Sequence, residues 1–103
     1  MAEERVSSDV QAQLAARIDA IGCAAPNDMR IELNMLRRLA RLHRVMPVLA
    51  VIPLLDAALA RGERGPLVVG GLGVLREAAG CGRVDEQAAS IFAAAASVRL
   101  AGG

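Results

Sequence analysis

Residues 29–45 read Met29-Arg30-Ile31-Glu32-Leu33-Asn34-Met35-Leu36-Arg37-Arg38-Leu39-Ala40-Arg41-Leu42-His43-Arg44-Val45, and their spacing decides the fold class. Arg30, Asn34, Arg37, Arg41 and Arg44 recur at steps of four, three, four and three. Glu32, Leu36, Leu39 and His43 recur at steps of four, three and four on the apolar side. Residues three and four apart share a face of a helix, whereas a strand alternates with period two. Ala25-Pro26-Asn27-Asp28 supplies a start signal and Pro47 a stop, so the pattern predicts a helix from about Asp28 to Val45.

The same reading extends outward in both directions. Upstream, Ser8-Asp9-Val10-Gln11 has the form of a capping box, and Val10, Leu14, Ile18 and Ile21 follow as one stripe. A first helix is expected from Ser8 to Ile21, ended by Gly22. Downstream, Val48 to Ala60 is apolar on all sides until Asp56. That predicts a third helix ending at Gly62, with a break at Pro53 or a short strand at Val48–Ile52 as alternatives. Gly62-Glu63-Arg64-Gly65-Pro66 is a loop. Leu67 to Ala79 predicts a fourth helix, weakened by Gly70, Gly71 and Gly73, which argues for close crossing through a small face. A phosphate-cradling reading of these glycines fails, because no Lys-Ser/Thr follows and the spacing is not GxGxxG. Gly80-Cys81-Gly82 ends this helix, and Asp85 caps a fifth whose stripe is Ile91, Ala95 and Val98.

Gly82-Arg83-Val84-Asp85-Glu86 with Ile91 and Ala94 resembles the turn and second helix of a tetratricopeptide repeat. Gln87 departs from the alanine of that pattern, and no second copy appears at the repeat's ~34-residue period. The resemblance implies a helical hairpin and nothing about activity.

The expected fold is all-α, a compact bundle of four to five helices in one domain spanning residues 1–103, with residues 1–7 and 101–103 frayed. There is no Trp or Tyr and a single Phe, so the core must rest on close helix contacts, which the many alanines permit. Helix three, apolar on nearly every side, and the wide apolar arc of helix two from Ile31 through Leu39 to Met29 predict a homo-oligomer, most simply a twofold dimer. Cytoplasmic location is the default expectation. The N-terminus is acidic and polar, two cysteines do not make a disulfide framework, and the longest apolar run, Val45 to Leu55, is too short to span a bilayer.

Chemistry has little to work with. His43 is the only histidine, so a two-histidine metal site within one chain is excluded and no metal or cofactor is expected. Ser7, Ser8, Ser90 and Ser97 have no base at a useful spacing, and Cys23 and Cys81 stand 58 positions apart with no histidine beside either. Glu32 and His43 lie three turns apart, so they can meet only across an antiparallel homodimer. A rim glutamate and a partly exposed histidine are the more ordinary reading.

Charge is distributed more tellingly than the net of +1. Residues 1–28 carry five acids against two arginines, and residues 29–44 carry five arginines against Glu32. The arginines Arg30, Arg37, Arg38, Arg41 and Arg44 therefore form the candidate partner-binding surface. They are offset either internally by Glu3, Glu4, Asp9 and Asp19 or by an acidic protein partner. The functional expectation is a non-enzymatic interaction or regulatory module. The alternatives are a nucleic-acid-associated protein using the Arg face, disfavoured by low total charge and missing aromatics, and a ligand binder or enzyme with a pocket at an oligomer interface.

Overall fold

The computed structural model describes residues 6–82 and 84–100. They form five helices: α1 (Ser8–Cys23), α2 (Met29–Leu42), α3 (Met46–Ala60), α4 (Pro66–Gly80) and α5 (Glu86–Leu100). No strand occurs among the described residues, so Val48–Ile52 is helix. The element contacts define layers. α3 and α4 pack on each other; α1 and α2 flank them on one side, with α2 on α3 and α1 on α4; α5 lies across both from the other side.

Each terminus has a local cause, and several differ from expectation. The N-cap of α1 is Ser7, whose side chain accepts from the Val10 amide at 3.2 Å. Gln11 instead donates to the Val6 carbonyl, so the Ser8–Gln11 box does not form. Val6 is buried and its amide donates to the Gly82 carbonyl at 3.0 Å, so positions 6 and 7 are held rather than frayed. The expectation of fraying at 1–5 and 101–103 lies outside the described residues. Gly22 does not stop α1 but continues it; a Cβ there would touch only Leu72 at 3.7 Å.

α2 ends before Pro47 is reached. The Val45 amide bonds to the Ala40 carbonyl and the Arg44 amide to Arg41, with Arg44 at φ 55°. This is a Schellman closure in which an arginine holds the left-handed position that glycine usually takes. α3 ends the same way, with Glu63 bonded to Ala58, Gly62 to Leu59, and Gly62 at φ 88°. Pro47 belongs to the first turn of α3, where its missing donor is tolerated. Pro53 stays inside a continuous helix, on its exposed side, where the ring removes the bond to the Leu49 carbonyl. At the start of α5 the Asp85 carboxylate accepts from the Ala88 amide at 2.7 Å, as its position in the sequence predicts.

The core contains Leu14, Ile18, Ile21, Leu33, Leu36, Val48, Ile52, Leu55 and Leu75, with buried alanines where helices approach most closely. Each fully buried Leu or Ile contributes about 1.5–3 kcal/mol over an exposed one. Gly71 is the tightest of the small positions: a Cβ there would lie 3.1 Å from Leu55 and 3.2 Å from Leu100. The apolar surround of α3 is thus absorbed within one chain by α2, α4 and α5, which removes one of the two grounds for expecting self-association. No helix among the described residues is long and apolar enough to cross a membrane.

Candidate functional site

The outward face of α2 gathers the molecule's most uneven surface chemistry. Leu33, Leu36 and Ala40 point into the core, which fixes the rotation of the helix. At about 100° per residue, the opposite arc then runs from Arg30, Arg41 and Asn34 through Arg38 to Ile31, Leu42 and Met35. The basic half borders α3 and the apolar half borders α1. Leu42 is 74% exposed, Ile31 58% and Met35 44%. The sequence pattern places these three in one wide apolar arc with the core residues, but neighbouring helices cover only part of that arc.

The five arginines divide into two groups. Arg30 donates to Asp56 of α3 through Nε at 2.9 Å and Nη2 at 3.4 Å. Hydrogen bonding to Asp56, and then its charge, hold the Arg30 guanidinium above its ordinary pKa. Arg37 lies 3.8 Å from the same carboxylate and also donates to Asn34. Internal compensation therefore comes from α3, a source the charge pattern did not indicate. Of the acids expected to supply it, Asp19 pairs with Arg76 of α4, and Glu3 and Glu4 lie outside the described residues. Arg38, Arg41 and Arg44 are exposed and make no ion pair or side-chain hydrogen bond among the described residues.

On the other border, an open groove of about 440 Å³ runs between α1 and α2, lined by Gln13, Ala16, Arg17, Met35 and Leu39. Arg17 Nη1 lies 3.6 Å from Glu32 Oε1 and 3.7 Å from Met35 Sδ. Glu32 Oε1 is buried and accepts no hydrogen bond, so Arg17 offsets it through charge alone. His43, expected near the apolar line, is the exposed C-cap of α2, and its backbone amide bonds to Leu39. Glu32 and His43 do not meet within the chain; Glu32 lies against Arg17 of the groove wall and His43 caps the helix end.

No protein-family model, curated protein or solved structure matches this chain. Sequence reasoning missed Asp56 and Arg17, which complete the two borders. Asp56 did carry a signal, as the lone charge ending an apolar run. Arg17 carried none, because nothing in α1 marks which of its polar residues will face Met35. Among the described residues, no three His, Cys, Asp or Glu side chains group closely enough to hold a metal ion.

Proposed function

We propose that this chain is a non-enzymatic interaction module and that the outer face of α2 docks an acidic segment of another protein. The observation that carries the reading is the edge between two stripes. Arg38 and Arg41 stand exposed and without ion pairs among the described residues, on the arc that continues into exposed Ile31, Met35 and Leu42, and Arg44, likewise exposed and without an ion pair, follows past the end of the helix. A phosphate backbone would satisfy the arginines and leave the apolar stripe with nothing, whereas a protein surface can satisfy both. The chain's net charge of +1 also gives little long-range attraction to nucleic acid.

A photo-crosslinking residue in place of Leu42, introduced in the native cell, tests this. The expected products are crosslinked peptides rich in Asp and Glu, lost when Arg38, Arg41 and Arg44 are all replaced by Gln. Crosslinks to nucleic acid alone, or duplex DNA binding that falls steeply with salt, would overturn it.

Self-association is the second reading, and α5 now favours it. Residues 87–98 carry no charge, and Ile91 and Val98 are 55% and 70% exposed on its outer side. A single-layer helix with such a face gains by packing against its twofold copy. Light scattering should report a dimer at high micromolar concentration that Ile91→Glu dissociates; a monomer throughout removes this reading.

A further inference from the structure

We propose that the occupant of the α2 face is an acidic amphipathic helix laid along the groove between α1 and α2. This inference rests on the docking reading above.

The backbone argues for a helix. Among the described residues there is no strand and hence no sheet edge to which an extended peptide could add. An extended segment pressed onto Met35 and Leu39 would lose water from amides and carbonyls that α1 and α2 cannot satisfy, because their own backbones are already paired within each helix. A helix brings its hydrogen bonds with it and needs only side-chain complementarity, which is the helix-in-groove mode of recognition. The groove has the form for it. Gln13, Ala16 and Arg17 on one wall face Met35 and Leu39 on the other, each set at helical-turn spacing, with Ala16 leaving room for a side chain to enter.

Side chains set the pattern of the occupant. Ile31, Met35 and Leu42 run along one line, with Arg38 and Arg41 on its α3 side. Ile31 to Leu42 covers eleven steps, about 16 Å at 1.5 Å per residue, so about three turns of partner helix span it. The occupant must carry apolar residues at steps of three and four and acids on one flank of that stripe, opposite Arg38 and Arg41. The other flank carries the Arg17–Glu32 pair, whose charges offset each other, so acids gain less there than beside Arg38 and Arg41. An occupant with its acids gathered on the Arg38 flank is therefore preferred over one acidic on both, which distinguishes this site from a general anion-binding surface.

Fluorescence anisotropy with the full chain and three labelled peptides of about 14 residues provides the test. The first is a designed helix with a leucine stripe and glutamates on one flank. The second has the same charge and leucines but two central prolines. The third replaces each Glu by Lys. The first should bind, the second at least about tenfold more weakly, and the third not at all. Leu42→Ser should weaken the first by about tenfold. Arg38→Gln and Arg41→Gln should each weaken it by about two- to fivefold and flatten its salt dependence. All three variants should keep the wild-type melting temperature, because these side chains are exposed. Equal binding of the first and second peptides overturns the helical occupant while leaving the docking face in place. Failure of both glutamate peptides to bind overturns the two readings together, as does displacement of the first by a duplex of about 20 base pairs. A chain that dimerises until Leu42→Ser dissociates it has a second copy of itself on this face, which also overturns the proposal.

Discussion

A methyl group added at Gly71 and one added at Gly73 should differ in their effect on stability by about 1 kcal/mol or more, although the two positions are two residues apart in the same helix. Both glycines lie inside α4, so each Gly→Ala change recovers the same helix propensity, about 1 kcal/mol. Each also removes the same backbone freedom from the unfolded chain. The surroundings differ. Nothing lies within 4 Å of a Cβ at Gly73. At Gly71 the new atom meets Leu55 at 3.1 Å and Leu100 at 3.2 Å, inside the ~3.5–4.0 Å optimum for carbon contacts. Leu55 is wholly buried and has no free volume to yield into, so overpacking of about 1–3 kcal/mol opposes the propensity gain. Gly73→Ala should stabilise by about 0.5–1 kcal/mol. Gly71→Ala should lie at least about 1 kcal/mol below it, and Gly71→Leu should destabilise outright by about 1–3 kcal/mol. For a domain of this size, 1 kcal/mol is about 4–8 °C in melting temperature, well within the resolution of thermal unfolding followed at 222 nm. Equal upward shifts for the two alanine variants would show that Leu55 and Leu100 do not close over Gly71, and the packing argument for the α3–α4–α5 junction would fail with it.

Arg44→Gly should raise stability by about 1 kcal/mol in a denaturant melt, because the φ of 55° costs an arginine what it does not cost glycine. The same change should weaken binding of a glutamate-bearing helix, so that stability and docking move in opposite directions. Asp85→Ala should cost about 1 kcal/mol through loss of the α5 cap, measured by the same melt, whereas Asp85→Asn should cost less. Asp56→Asn should change stability by about 1 kcal/mol or less, since its pairs with Arg30 and Arg37 remain partly open to solvent. By freeing both arginines it should strengthen binding of an acidic peptide in anisotropy titrations; weakened binding would mean that Asp56 orients the face rather than competing for it.

The helical class and all five elements were legible, because caps, glycines and apolar spacing are properties of neighbouring residues. Asp85 as a cap and Gly62 and Gly82 as left-handed terminators follow from local chemistry alone. Two adjacent serines differ by nothing local, and the cap went to Ser7 rather than Ser8 because Val6 is drawn into the core beside Gly82. Arg44 was illegible as a terminator, since arginine in a left-handed position carries no sequence signature. The division of the Arg face was illegible for another reason. Asp56 stands 26 positions from Arg30 and 19 from Arg37, and only the packing of α2 on α3 brings them together. The wheel of α2 identified an apolar arc but not how much of it the neighbours cover, and the uncovered remainder is what makes the face a candidate site.

The order of the layers has a consequence for the chain as it is made. α3 is synthesised before α4 and α5, and its most extensive packing is with α5, the fifth helix in chain order. Until α5 arrives, the side of α3 destined for it remains open to other nascent chains. Lesions that remove α5, through a premature stop or a proteolytic nick in residues 81–85, should therefore harm solubility more than loss of a peripheral helix elsewhere would. The greasiest helix is the third of five, and its shelter is completed only once the fifth has been made.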